Sequence, residues 1–100
     1  MKLKNAAKVI RSKNAGPLIV TVDLLFEDER RYQQAVDSPS ITPVQIAKLY
    51  GLAEEAVKII PFPQGLAIKL TFRRPLIAGS PGDRDVYGAQ QHAPLLEVEL

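Results

Sequence analysis

The sequence predicts one α+β domain with a mostly antiparallel sheet and helices on one face of that sheet. The chain has 100 residues, of which 46% are hydrophobic and 24% are charged, and this composition suits a single globular core. Segments with strand periodicity precede and follow a helical middle. Because helices do not separate every pair of strands, a parallel doubly wound sheet is disfavoured.

The first two predicted elements are strands joined by a loop. Residues 5–11 fit either a short helix or a strand, and the strand is favoured because a turn and a second strand follow. Residues 12–17 (SKNAGP) contain Asn, Gly and Pro, which are typical of turns. Residues 18–26 alternate in the manner of a strand, although the second face is only partly polar.

Two helices are predicted next. Residues 27–37 begin with three acidic residues, which the helix dipole favours at an N-terminus. The second helix has clearer boundaries, with Thr42 as N-cap, Pro43 at the first helical position, Gln45 in a capping box and Gly51 as C-cap.

The remaining elements are expected to complete the sheet. In order, they are strand 56–60, turn 61–65, strand 66–73, a Gly/Pro-rich loop at 75–85, a short helix over 86–93 and a final strand over 95–100. This order is expected to give a ferredoxin-like arrangement with an extra N-terminal strand.

The composition excludes several kinds of chemistry. Cysteine is absent, which excludes disulfides, thiolate nucleophiles and cysteine-ligated zinc, and the single histidine, His92, excludes a histidine cluster within one chain. The net charge is only +2, so no footprint for nucleic acid or an anionic membrane is expected. No apolar run suits a signal peptide or a membrane span, and a cytoplasmic protein is expected.

The first polar segment, residues 11–17, is a candidate anion site. Arg11 and Lys13 can pair with a carboxylate or a phosphate. The Ser12 hydroxyl, the Asn14 amide and backbone N–H groups near the glycine would add polar contacts. The alternative is a solvated hairpin loop in which Asn and Gly serve only the backbone.

The second polar segment, residues 79–92, contains two acidic candidates. Asp83 and Asp85 carry the oxygen ligands that suit Mg²⁺ or Ca²⁺, but the EF-hand pattern is not met. A rival interpretation, which we favour, makes Asp85 the cap of a helix that starts at Val86. No metal site is therefore assigned.

The end of the same segment supplies a candidate acid or base. His92 would lie near the C-terminus of the short helix and could titrate near neutrality. The alternative is a half-buried histidine bonded to a backbone carbonyl. The candidate substrate contacts beside it are Tyr87, Gln90 and Gln91.

Both polar segments resemble the signatures of a small bacterial family described as a domain of unknown function. The matching runs are residues 10–17 (IRSKNAGP), 80–83 (SPGD), 85–96 (DVYGAQQHAPLL), 41–43 (ITP) and 49–51 (LYG). The resemblance covers the chain from Leu3 to Leu100. Members of that family occur beside, or fused to, the acyclic terpene utilisation protein A (AtuA) family.

The order of features also resembles the C-terminal domain of AtuA-like proteins, which has a ferredoxin-like fold. In that domain an Arg-Ser-Gly-Asp-Lys-Gly type loop stands where this chain has residues 11–16, and this chain lacks the Asp. The resemblance implies a partner, namely a larger AtuA-like protein that acts in organic-acid or acyl-CoA catabolism.

The expected function is that of an accessory subunit which contributes polar loops to a shared site for a small anionic substrate. Arg11 and Lys13 would hold the anion, while Asp83, Asp85 and His92 would assist or shape the site. The alternatives are a free-standing lyase or hydratase built as a homo-oligomer, and a non-catalytic ligand-binding or assembly module. The shared-site idea requires the two polar segments to converge.

Overall fold

The fold is an antiparallel sheet with a layer of helices, seen in a computed structural model that describes residues 1–74, 81 and 91–100. The strands are β1 (Val9–Asn14), β2 (Ile19–Leu25), β3 (Val57–Phe62) and β4 (Ala67–Arg73). The helices are α1 (Leu3–Ala6), α2 (Glu29–Val36) and α3 (Pro43–Tyr50), with 3-10 turns at Glu54–Ala56, Pro63–Gly65 and Ala93–Leu95. The predicted α+β class is confirmed.

The sheet has the strand order β1-β2-β4-β3, and every neighbouring pair is antiparallel. Strand β4 is inserted between β2 and β3, and α2 and α3 lie on the connection that joins β2 to β3 along the chain. This is a split β-α-β unit. The finer ferredoxin-like prediction is not confirmed, because β1 occupies the edge beside β2 and the described C-terminal residues add no strand.

One face of the sheet, here called the inner face, forms the core. Alternate residues of β2 and β4 are buried there, because successive side chains of a strand point to opposite faces. Helices α2 and α3 contribute further buried side chains, and so do the two chain ends. The largest fully buried residues are Phe72, Leu3, Leu24, Ile46, Ile68, Leu70, Leu95, Val20 and Val22.

The boundaries of α3 follow its predicted caps, whereas α2, predicted over 27–37, is shorter and covers Glu29–Val36. The Asp28 side chain accepts a hydrogen bond from the Arg31 N–H at 2.8 Å at the start of α2. In α3, the Thr42 hydroxyl accepts from the Gln45 N–H at 3.4 Å, and Gly51 ends the helix in the left-handed region at φ 69°. No helix in the described ranges is long and apolar enough to cross a membrane.

Strand β1 differs from its prediction at both ends. Residues 5–11 are predicted as a strand with a helix as the alternative, and both are found: α1 ends at Ala6 and β1 begins at Val9. The predicted loop over 12–17 is wrong for its first three residues, because β1 runs to Asn14 and pairs there with Val20. Pairing with the long strand β2 outweighs the turn preference of Ser and Asn, as tertiary context commonly does.

Two further boundaries are corrected. The predicted turn at 61–65 is shorter, because Pro61 and Phe62 belong to β3. Proline is tolerated there since β3 is an edge strand and needs fewer backbone donors. The predicted loop at 75–85, apart from residue 81, and residues 86–90 of the predicted short helix lie outside the described residues.

The predicted final strand over 95–100 is wrong. The segment begins in a 3-10 turn, Ala93–Leu95, and has one isolated bridge, between Glu99 and Lys2. Its backbone pairs with the other chain end instead of with the sheet: the Leu3 N–H donates to the Val98 carbonyl at 2.7 Å. The alternating apolar residues therefore help to cover the core without joining the sheet.

Candidate functional site at Ser12 and His92

The alternation of β1 separates the polar residues of the first segment. Ser12 lies on the inner face with 8% of its surface exposed, and Asn14 is half-buried two residues further along that face. Arg11 and Lys13 are exposed on the opposite, outer face. Arg11 contacts Asp23 there, with 3.4 Å between Nε and Oδ2. One strand therefore presents its two cations on one side and its hydroxyl and amide on the other.

Ser12 is the point at which the two polar segments meet. Its Oγ lies 3.3 Å from Nδ1 of His92 and accepts a hydrogen bond from the His92 backbone N–H at 3.2 Å. These two residues are 80 positions apart in the chain. The structure thus brings together Ser12 of the first predicted segment and His92 of the second.

The contact with Ser12 engages one ring nitrogen of His92. In the tautomer that carries its proton on Nε2, Nδ1 accepts the Ser12 hydroxyl proton, and in the other tautomer or the cation Nδ1 donates to Oγ. In each case the second nitrogen, Nε2, has no hydrogen-bond partner among the described residues. The residue is half-buried, as in the alternative prediction of a histidine bonded to a backbone carbonyl. The partner of Nδ1, however, is a hydroxyl group and not a carbonyl.

Tyr50 holds the residue before His92. Its hydroxyl donates to the Gln91 carbonyl at 2.6 Å, and its ring packs on Phe72 with 4.2 Å between the ring centroids. Burial raises the pKa of the Tyr50 phenol, so the phenol stays protonated and remains a hydrogen-bond donor. Leu95, fully buried three residues after His92, anchors the other side of this short segment.

Tyr50 is a site residue that the sequence prediction missed. Its position at the end of α3 assigns it to the apolar stripe of that helix, and the ring does pack on the core. The available signal is its hydroxyl group, since a tyrosine at a packed position usually has a polar partner that phenylalanine would not need. The sequence does not reveal that this partner is Gln91.

Several predicted site residues lie outside the described part of the chain, namely Asp83, Asp85, Tyr87 and Gln90. Their suggested roles stay predictions, as do those of Arg11, Lys13 and Asn14. Gln91 is described, and its backbone carbonyl is the group that Tyr50 contacts. Within residues 1–74, 81 and 91–100, no group of three or more histidine or acidic side chains could hold a metal ion.

The arrangement has a defined chemical capability. A histidine with one nitrogen engaged by a fixed partner presents its other nitrogen in a fixed direction, as is common for histidines that bind or transfer protons. Ser12 is buried in the strand, and its hydroxyl contacts both Nδ1 and the backbone N–H of His92. The contact with Ser12 thus leaves Nε2 as the ring nitrogen of His92 without a hydrogen-bond partner among the described residues.

Comparison with known proteins identifies the family of the chain but no activity. No curated protein and no solved structure matches the chain. The model of one family, described as a domain of unknown function (DUF4387), matches residues 3–99. Because this match covers nearly the whole length, the chain belongs to the DUF4387 family.

Proposed function

We propose that this domain is an accessory subunit of a larger AtuA-like protein in organic-acid or acyl-CoA catabolism, and that it presents His92 to a small anionic substrate in a site shared with that protein. The contact between Ser12 and His92 carries the proposal, because it joins the two polar segments in which the family resemblance is concentrated. The partner itself is suggested by the resemblance to AtuA-associated proteins.

In this proposal the two residues have different roles. His92 acts through Nε2 as an acid, a base or a hydrogen-bond donor to the substrate. Ser12 is a positioning residue that holds Nδ1 and the backbone N–H of His92. Arg11 and Lys13 lie on the other face of the sheet from Ser12, so they do not contact a substrate that His92 binds.

The test is co-expression of the chain with an AtuA-like protein from the same genome, followed by size-exclusion chromatography and turnover of hydroxy-acid and acyl-CoA substrates. His92→Gln is expected to leave the complex intact and lower kcat by about 10²-fold or more, the usual loss when a general acid or base is removed. Lys48→Gln, on the exposed side of α3, serves as control and should change neither quantity.

Three outcomes contradict the proposal. The chain and the AtuA-like protein could elute separately, the AtuA-like protein could be fully active alone, or His92→Gln could match the control. Turnover by the isolated chain would favour the lyase or hydratase alternative.

The positioning role of Ser12 has its own readout. Because His92 is the single histidine, its ring nitrogens give unambiguous ¹⁵N NMR signals. Ser12→Ala is expected to change the tautomer ratio and lower kcat more than it raises KM, whereas Ser12→Thr keeps the hydroxyl and should restore both. An unchanged tautomer ratio in Ser12→Ala would show that the hydroxyl does not orient the ring.

A further inference from the structure

The outer face of the sheet is graded from apolar to basic. Pairing registers place its residues in four rows across the strands. The rows are Val9–Leu25–Ala67–Phe62, Arg11–Asp23–Lys69–Ile60, Lys13–Thr21–Thr71–Lys58 and Ile19–Arg73. The first row is entirely apolar and the third combines lysine with threonine, so the two ends of the face differ in chemistry.

The four rows carry more positive than negative charge. They contain five basic residues and only one acidic residue. That acid, Asp23, is already matched by Arg11 at 3.4 Å and lies opposite Lys69 in the register. Lys13, Lys58 and Arg73 have no ion-pair partner within the described residues. The small net charge of the whole chain therefore conceals a strongly basic surface.

The apolar end of the same face is open to solvent. Ile60 and Phe62 are 51% and 57% exposed, and Val9 is 38% exposed. Ile60 and Phe62, with Leu25, Ala67, Arg11, Asp23 and Lys69, line a depression of about 350 Å³. An apolar depression with cations beside it can receive a side chain from another molecule, and exposed apolar surface of this kind marks interaction sites.

We propose that the outer face binds an acidic protein surface that carries an apolar side chain. The apolar side chain would lie in the depression, and the acidic groups would lie over the second, third and fourth rows, here called the basic rows. The inference rests on the proposed function, because the larger subunit proposed above would supply this surface. It also leaves the inner face, with Ser12 and His92, on the other side of the strand and free of the docking contact.

A second copy of this chain is an unfavourable binding partner for the outer face. In a two-fold dimer the same patch meets itself, so each basic row would face a surface with the same excess of cations. Like charges placed opposite each other in an interface are unfavourable. The charge of the face therefore favours a partner that differs from this chain and is acidic.

A nucleic acid is also less suitable than a protein. Single-stranded RNA or DNA binds to open sheets through aromatic side chains on which bases stack. The only aromatic residue in the four rows is Phe62, on the edge strand β3, and the other apolar residues are aliphatic. Aliphatic side chains beside cations instead match the apolar centre and charged rim of protein interfaces.

The experiment compares matched charge reversals on the two sides of the molecule. The affinity of the chain for the co-purified AtuA-like protein is measured by titration calorimetry for wild type, for K13E/K69E on the outer face and for R30E/K48E on the exposed helices. All four residues are exposed. The outer-face variant is expected to bind at least tenfold more weakly, and the helix variant within about twofold of wild type. Phe62→Ser, which removes the apolar contact without a change of charge, should also weaken binding.

Salt provides a second readout, because exposed charge pairs are screened as the Debye length falls from about 10 Å at 0.1 M to about 3 Å at 1 M. Wild-type affinity should fall as salt rises, and that of K13E/K69E should fall less. Circular dichroism of each variant verifies that the fold is retained.

The possible results separate the two proposals. Binding that is unchanged in K13E/K69E, or lost in R30E/K48E, overturns the outer face as the docking surface while the subunit function stands. Absence of binding by the wild-type chain overturns both. Binding of the wild-type chain to single-stranded RNA, or to vesicles of equimolar phosphatidylcholine and phosphatidylserine, with loss in K13E/K69E and no effect of that variant on the protein complex, overturns the protein partner.

Discussion

Replacement of Tyr50 by phenylalanine tests how the segment that carries His92 is held. The substitution removes one hydroxyl, which donates to the Gln91 carbonyl at 2.6 Å, and it leaves the ring on Phe72. Because no cavity forms in the ring stack, the cost is that of one hydrogen bond, about 1 to 1.5 kcal/mol. For a domain of this size, that corresponds to a fall in Tm of roughly 4–12 °C, from 4–8 °C per kcal/mol.

The assay is urea unfolding followed by circular dichroism, with equal m-values as the test that both proteins unfold between comparable states. Tyr32→Phe is a matched control, since Tyr32 is also buried but its hydroxyl has no hydrogen-bond partner in the described part of the chain. It should change the free energy of unfolding by less than about 0.5 kcal/mol. Equal effects of the two substitutions, or no effect of Tyr50→Phe, would show that the hydrogen bond from Tyr50 to Gln91 does not stabilise the fold.

Three further predictions concern stability. Leu95→Ala removes a fully buried side chain beside the site, and its expected cost is about 2–5 kcal/mol in urea unfolding. Gly51→Ala places a Cβ in open space at φ 69°, so its cost of about 1 kcal/mol is backbone strain, and Gly51→Asn should cost less. Hydrogen bonds from Lys2 and Lys4 lower the Glu97 pKa to about 2 from its ordinary 4.5. The stabilisation by Glu97 is therefore present above pH 4.5 and lost as the pH falls toward 2. The Tm difference between wild type and Glu97→Gln should vanish over that range, and a constant difference would contradict the ion pair.

The local sequence was sufficient for the elements whose determinants lie within one or two turns of chain. The Thr42, Pro43 and Gly51 signals predict α3 with its observed ends, because each acts on a backbone group a few residues away. The alternation of Ile68, Leu70 and Phe72 predicts the buried face of β4 in the same way. Prediction failed where a boundary depends on the neighbouring strand, as at Asn14, which pairs with Val20, and at the final segment, which pairs with α1.

The residues of the candidate site could be predicted from the sequence, but the contacts between them could not. The sequence singles out Ser12 and His92, yet their contact spans 80 positions, and the contact of Tyr50 with Gln91 spans 41. Whether Ser12 shares a face with Arg11 depends on β1 being a strand and not a loop, since a strand places neighbours on opposite faces.

By itself the sequence determined the chemical inventory of this protein: no thiol, one histidine, two polar segments and an α+β order of elements. The tertiary structure decided which of those groups meet, because the sheet register sets both the inner pairing of Ser12 with His92 and the basic rows of the outer face. Net charge and local periodicity are sums over the chain or over short windows. The positions of charges and hydroxyls relative to one another depend instead on pairing between distant segments.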